Sequence, residues 1–326
     1  MFKRLINECI IDLTIRPEGA LLIKSGLAQV SGVDMAWVTV SRNGNLEPFL
    51  PGSSLKGTIR SHAERIARTF QEIAACNTVG GKDDKYRSCG TALNEMKEEL
   101  KKEKKRNESD DLNTPKVYQL SCPICRLFGN TFLMGRFATE DAYAEGNPPQ
   151  PEHRDGVGID RFTGGAARGA KFEMEVITGG KFKTALHLQN FELWQLGLIG
   201  FVLRDMCDGL VRMGSGKSRG MGKVVAEINR ITLHYVGQQQ KMAQNGRLTL
   251  AGVGALFPQA REYGMVEEDR LEIENANVEV FETPLRQQLV FRYEDFPWEQ
   301  VAKKWVTFVS NWKEDPLAKY RKGKGE

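Results

Sequence analysis

Residues 96–111, MKEELKKEKKRNESDD, constrain the fold more than any other stretch, because they carry almost nothing that a hydrophobic core accepts. A segment that is nearly all charge buries too little apolar surface to offset the entropy of ordering it. It therefore reads as a mobile or marginally helical excursion, inside an insertion spanning 76–125. The surrounding fold must close that insertion at its base, and cysteines stand where the closure is needed. Cys76 and Cys89 precede the charged run, and Cys122-Pro-Ile-Cys125 follows it. A CxxC turn offers two thiolates on one tight bend, and two further cysteines complete a tetrahedral zinc site. His62 is an alternative ligand. A redox pair of the thioredoxin type shares the CxxC spacing, but it belongs in a βαβ context, and none surrounds this one. Cys9 and Cys207 lie in apolar strand and helix contexts and read as buried thiols without a ligand role.

Outside the insertion there is ample material for a core. With 326 residues, 40% hydrophobic and 27% charged, the chain has the composition of a soluble protein of one large domain or two smaller ones. A net charge of +4 admits nucleic acid as a partner without requiring it. The start, MFKRLINECIIDLTI, carries Asp12 and no small-residue cleavage site, so no signal peptide is expected. The longest uncharged apolar run, Leu193 to Leu203, is too short to span a bilayer. These features set the expectation of a cytoplasmic protein with no membrane partner, whose cysteines are thiols or metal ligands rather than disulfides.

Patterning gives the order of elements. Partial alternation over residues 5–24 around Pro17, Glu18 and Gly19 predicts a β-hairpin, and Asn43-Gly44 marks a turn. Ser53 and Ser54 are candidate N-caps of a helix carrying Leu55, Ile59, Ile66, Phe70 and Ile73 on one face. Lys56 and Arg60 sit one turn apart near its start, where they either reinforce the anion-attracting helix N-terminus or lie on a solvated face. Leu127–Ala138 predicts a turn into a strand. Residues 145–178 predict a long β-hairpin arm with GGAARG at its tip, Lys171–Ile177 as the return strand, and a basic edge from Arg161 and Arg168. Phe191–Met206 predicts a buried helix and Lys223–Ile228 a strand. The sum is α+β, compatible with a βαββαβ ferredoxin-like core over 1–230 carrying large insertions. In the extension 231–326, Gly246–Phe257 and Leu271–Phe281 have room for strands. Trp298–Trp312 predicts an amphipathic helix with Val301, Trp305, Phe308 and Trp312 on one side. The basic end KYRKGKGE reads as disordered, and the whole extension as packing on the core or on a neighbouring subunit.

Leu210–Val225, LVRMGSGKSRGMGKVV, is the densest candidate for chemistry. Glycines let backbone N–H groups and the nearby cations approach phosphates closely, although a flexible basic turn has the same composition. An ATP-binding P-loop is excluded. That motif needs a glycine where Val211 stands, and it runs from strand to helix, whereas this loop runs from helix to strand. No Ser-His-Asp or Cys-His arrangement is visible among the four histidines, and His153 reads as a loop residue. Asp34, in SGVDMAW between small residues and an apolar run, is either a turn residue or a catalytic acid, and a buried carboxylate there would need a reason. Asp155 and Asp160 read as structural.

Four segments together, SGVDMAWVTV…LPGSSLKGTIRS, SCPICRLFGN, GVGIDRFTGGAARGAKFEMEVI and GSGKSRGMGKV, resemble in order and spacing the RAMP superfamily, and within it the backbone subunits of type III CRISPR effector complexes. The resemblance covers about residues 10–230. It implies a modified RNA-recognition-motif fold that stacks in a filament with copies of itself, paralogues and other effector subunits along a CRISPR guide RNA. The glycine-rich loop (Gly214, Ser215, Gly216, Lys217, Ser218, Arg219, Gly220) and the helix bearing Ser53, Ser54, Lys56 and Arg60 would hold guide phosphates. The arm near 159–170, with Arg161 and Arg168, would act as a thumb between bases of the guide–target duplex. Asp34 falls on the position of the family's catalytic aspartate, implying target-RNA cleavage dependent on magnesium or another divalent metal. The alternative is a non-catalytic guide-binding subunit of the same kind. Cys76, Cys89, Cys122 and Cys125 would form a structural zinc site. The charged insertion and the extension after about 240 depart from the common core.

Overall fold

The computed structural model describes residues 3–26, 33–42, 44–79, 84–103, 112–237, 241–244 and 246–321. In chain order it begins with β1 (Asn7–Pro17), β2 (Thr39–Arg42), β3 (Asn45–Leu50) and α1 (Gly52–Phe70). The insertion follows as α2 (Cys89–Glu103), α3 (Thr114–Leu120) and α4 (Pro123–Phe128). Next come the short strands β4 (Gly129–Asn130), β5 (Leu133–Met134), β6 (Phe137–Thr139) and β7 (Ala142–Ala144). The arm strands β8 (Glu152–Ile159) and β9 (Ala166–Val176) lead to β10 (Phe182–Gln189), α5 (Leu193–Cys207) and β11 (Val224–Val236). The extension adds β12 (Ala243–Gln244), β13 (Arg247–Ala251), α6 (Val253–Leu256), β14 (Arg270–Glu274), β15 (Glu279–Thr283), β16 (Arg286–Phe291), α7 (Trp298–Ser310) and α8 (Ala318–Arg321).

Period-two burial makes β1 the centre of the molecule. Cys9, Ile11, Leu13 and Ile15 are buried while Glu8, Ile10 and Asp12 are half-exposed, as expected of a strand with one covered face. It pairs antiparallel with β10 (Leu13 opposite Thr184) and with β11 (Asn7 opposite Tyr235), within a nine-stranded sheet ordered β15-β16-β11-β1-β10-β7-β3-β2 with β6 also on β10. The hairpin expected over 5–24 therefore does not form: both neighbours of β1 come from much later in the chain. The residues after Pro17 instead make single bridges, Leu21 to Ile177 and Lys24 to Trp37. Local alternation was correct for the strand but silent on its partners.

Pro51 is the N-cap of α1, so Ser53 and Ser54 lie inside its first turn and no side chain caps it. α5 is apolar on nearly every side because it is covered twice, by the sheet and by α7. Gly197 allows the second contact: a Cβ there would stand 2.3 Å from the Val301 carbonyl oxygen. The Trp194 and Phe308 rings stack at 4.1 Å, and Val301, Trp305 and Val309 of α7 are buried. Val301, Trp305 and Val309 are the fully buried positions of α7, the half-buried Phe308 packs beside them on Trp194 as expected, and Trp312 lies beyond the helix end. Residues 96–103 are helical as the end of α2, whereas 104–111 and Asn43 fall outside the described residues. Leu127–Ala138 forms the end of α4, a small hairpin of β4 with β5, and the start of β6. Lys319, Tyr320 and Arg321, expected to be disordered, lie in α8; the rest of that tail is outside the described residues. Among the described residues, no helix is long and apolar enough to cross a membrane.

Insertion, core and extension meet at a buried charge. Glu192 receives Tyr118 Oη at 2.5 Å and the Val266 N–H at 3.0 Å, and faces Arg136 at 3.4 Å with both side chains fully buried. The Arg136 guanidinium lies 4.4 Å from the centre of the Tyr118 ring. Beside them burial pushes the Asp269 carboxyl well above the usual carboxylate range, while the Leu193 N–H donates to it. Breaking such a pair strands the remaining charge, at a loss of about 3–5 kcal/mol. Arg136→Met is expected to lower the melting temperature by roughly 10 °C, at ~2–4 °C per kcal/mol. Thermal unfolding followed by circular dichroism checks this, and a shift under 2 °C would show that the Glu192 carboxylate is satisfied without Arg136.

Candidate nucleic-acid interface and metal centre

The arm is a separate two-stranded ribbon, β8 against β9, running from Glu152 opposite Val176 to Ile159 opposite Ala166 with an irregularity between Val157 and Ile159. Its tip is the turn Asp160–Gly165, so the expected GGAARG tip is shifted: Ala166–Gly169 already belong to β9. Asp160 shapes that turn by accepting the Phe162 and Thr163 N–H groups at 2.7 and 3.1 Å, which holds its carboxyl below the ordinary range. This tight turn throws Phe162 fully into solvent, with Val157 and Ile159 also exposed. Arg161 and Arg168 flank them, both exposed. An apolar, aromatic tip with cations beside it suits stacking on bases next to a phosphate chain.

At its base, β9 carries two different groups on one short stretch. Along its free edge the Asp34 loop is stitched on by backbone: the Met35 N–H donates to Glu173 O at 3.0 Å and the Glu175 N–H to Met35 O at 3.0 Å. The Trp37 N–H donates to Glu175 Oε2 at 2.9 Å, and the Glu173 N–H donates to Asp34 Oδ2 at 2.9 Å. Asp34 is exposed, not buried as its setting suggested. Across the strand the Phe172 ring lies over Gly156, where a Cβ would meet it at 2.2 Å, and the Arg219 guanidinium sits 5.6 Å from the centre of that ring. Arg219 belongs to the glycine-rich loop. The residues Phe172–Glu175 therefore hold the carboxylate on one side and a loop cation on the other.

The loop itself is a short 3-10 turn, Lys217–Arg219, between Gly216 and Gly220, both left-handed. The Ser215 and Gly222 N–H groups donate to Leu22 O and Ala20 O, each at 2.8 Å, and a Cβ at Gly214 would stand 2.2 Å from Leu22 O. Gly214 thus lets the loop pack against the chain after β1, and Gly222 lets it close on Met213, whose carbonyl oxygen a Cβ there would meet at 2.3 Å. Two of its amides are used against the chain after β1, and the Lys217, Ser218 and Arg219 side chains are exposed. The start of α1 is different again. The Gly52 N–H donates to Asp141 Oδ1 at 2.7 Å, so a carboxylate already occupies the anion position of that helix terminus. Lys56 is half-buried, and burial lowers its ammonium below the ordinary lysine range. Arg60 is bound to Glu64 at 3.0 Å. Asp141 was not foreseen; it lies 89 residues along the chain from the glycine it caps.

The four predicted cysteines come together. Cys76 follows α1, Cys89 opens α2, Cys122 precedes α4 and Cys125 lies in its first turn; all four are buried, with sulfurs within 4.8 Å of one another. Cys76 and Cys125 Sγ are 3.5 Å apart. Sulfurs around a tetrahedral zinc with Zn–S of ~2.3 Å lie about 3.8 Å apart, so the donor set and its spacing fit such an ion. The neighbouring Cys122, Cys125 and Cys76 hydrogen bonds draw the Cys89 thiol well below its ordinary range, favouring the thiolate. His62 is not part of the group: Asp205 holds its Nε2 at 2.5 Å and Arg65 its Nδ1 at 2.7 Å. Among the described residues no second cluster of three or more metal-binding side chains exists, so Asp34 is not part of one.

A family model for the RAMP superfamily matches residues 37–225, more than half of the chain. The chain belongs to the RAMP superfamily. RAMP proteins are CRISPR-associated and bind nucleic acid, and some are ribonucleases. The match takes in the cysteine cluster, the arm and the glycine-rich loop, and stops short of Asp34 and the extension. No curated protein matches the chain.

Proposed function

We propose that this RAMP protein is a guide-RNA-binding backbone subunit of a type III CRISPR effector complex that cuts target RNA through Asp34. The observation carrying this reading is the shared base of the arm. The carboxylate and the cationic loop meet one strand of the arm that ends in a projecting aromatic tip, in a protein of a nucleic-acid-binding family. The sheet order β11-β1-β10 with β6 and β7 beyond, and α1 and α5 in the connections, is compatible with a βαββαβ core of the RNA-recognition-motif kind and so supports this reading. Lys217, Ser218 and Arg219 hold guide phosphates, and the arm wedges between bases, so that a target nucleotide displaced at the arm's base lies next to Asp34. Cleavage there is an in-line attack of the displaced nucleotide's 2′-oxygen on the adjacent phosphorus. The O2′–P bond forms, the P–O5′ bond breaks, the 2′-proton leaves to a base and the departing 5′-oxygen takes one up. With Oδ2 tied to the Glu173 N–H, Oδ1 faces the reaction. One carboxylate plus substrate phosphate oxygens is a usual magnesium environment, and a bound divalent ion would supply charge neutralisation at the phosphate. Zinc in the four-cysteine site has a structural role, and the partners are guide RNA, target RNA and further subunits in a filament.

A second reading, a guide-binding subunit that does not cut, has one observation in its favour: the bond from the Glu173 N–H to Asp34 also organises the loop. Asp34→Asn in the assembled complex separates the two. The RNA-binding role has its own test. Replacing Lys217 and Arg219 with alanine is expected to weaken single-stranded RNA binding and to flatten its salt dependence. The slope falls by about 0.7 per phosphate contact, about 1.4 for the pair, so the loss is largest at low salt. A titration with unchanged affinity and slope would remove the loop from the interface.

A further inference from the structure

The extension that lies outside the family match returns to the cysteine cluster through a residue that has no obvious reason to be buried. Arg321, near the end of the chain, is 2% exposed. Its Nη2 donates to Cys89 Sγ at 3.3 Å, beside a second donor to the same sulfur, the Cys122 N–H at 3.3 Å. Asp315 orients the guanidinium, accepting from Nε at 2.5 Å and from Nη2 at 3.2 Å, and Nη1 donates to the Arg87 carbonyl. The tie runs both ways, since Arg87 donates to the Tyr320 carbonyl at 2.6 Å and Lys319 reaches Glu99 of α2 at 2.5 Å.

A divalent ion held by four thiolates leaves a buried centre with two surplus negative charges, and N–H donors to the sulfurs spread that charge. Asp315 balances the Arg321 charge and fixes the fork, so that one N–H remains aimed at Cys89. Each side then lacks something without the other: the metal–thiolate centre a donor, and the buried guanidinium an acceptor. We propose that Arg321 acts on the metal centre from outside its ligand set, so that metal retention and docking of residues 313–321 are one coupled event. This rests on reading the four cysteines as a zinc site, and it assigns the C-terminal segment a role the RNA-binding reading does not contain.

The test uses the full chain and two readouts. Zinc content is measured first, and release is then followed with a colorimetric chelator. Arg321→Ala is expected to speed release by about 10–100-fold, the usual effect of losing such a donor. Arg321→Lys should fall between, because an ammonium can donate to sulfur but cannot engage Asp315 as a fork. In the second readout, limited trypsin digestion is analysed by mass spectrometry. Cleavage after Lys313, Lys319 and Arg321 should be slow in the zinc-loaded protein and fast after chelation. Wild-type protein without bound zinc overturns both the zinc reading and the coupling. Wild-type protein with zinc, but with release and cleavage unchanged in the variants, overturns the coupling alone. If Arg321→Ala does not fold, Arg321→Lys and Asp315→Asn carry the comparison, and wild-type release rates in both overturn it.

Discussion

Cys122→Ser is expected to lose bound zinc and to unfold the insertion, lowering the melting temperature by more than 10 °C or leaving the protein insoluble. Structural zinc sites in small domains contribute on the order of 10–16 kcal/mol, as much as the whole stability of an ordinary domain. Here the site ties α1, α2 and α4 together where the insertion joins the core. The exposed charged end of α2 adds no core, whereas Cys122, Ile124 and Cys125 are all buried at the cluster. A serine oxygen is a poor replacement for a thiolate on zinc, and without an ion the four buried sulfurs would rely on one another and on the two N–H donors to Cys89, from Cys122 and Arg321. Elemental analysis beside thermal unfolding reads both effects. A Cys122→Ser protein with normal zinc content and melting temperature would mean that the cluster is packing rather than a metal centre.

Asp34→Asn is expected to lower target cleavage by about 100-fold or more, the scale of a lost proton-transferring or metal-positioning carboxylate, while leaving target binding intact. The substitution is informative because of how the loop is held. The Glu173 N–H can donate to the asparagine carbonyl oxygen as it does to Asp34 Oδ2, and the Met35 and Trp37 N–H bonds to β9 do not involve the side chain. The loop therefore keeps its course, and what is lost is the negative charge at the exposed oxygen. Asp34→Ala removes the charge and the bond together, so a difference between the two substitutions separates chemistry from loop placement.

The sequence was legible wherever the signal was local. The α1 periodicity, the long apolar run of α5, the arm strands and the four-cysteine group all follow from spacing that short-range chemistry dictates. What could not be read came from distant pairing. β1 joins β10 and β11 instead of forming a hairpin, because strand partners are chosen by the whole sheet. Asp141 caps α1 across 89 residues, which turned an expected anion site into one already filled. The strip Phe172–Glu175 had an alternating pattern that announced a strand, but nothing in it announced that Asp34 and Arg219 would meet there. Phe162 did carry a signal: a lone aromatic in a turn of glycine, threonine and aspartate has no core to enter and so projects outward. Arg321 carried none, since a basic tail reads as solvated until its acceptors are known.

The most direct measurement of the central claim is to map cuts along a labelled target RNA, using effector complexes assembled on a defined guide with wild-type or Asp34→Asn protein and magnesium. Evenly spaced cuts are expected with the wild type, one for each arm inserted into the duplex. With Asp34→Asn the same bound target is expected without those cuts. Undiminished, evenly spaced cutting by the Asp34→Asn complex would contradict the claim.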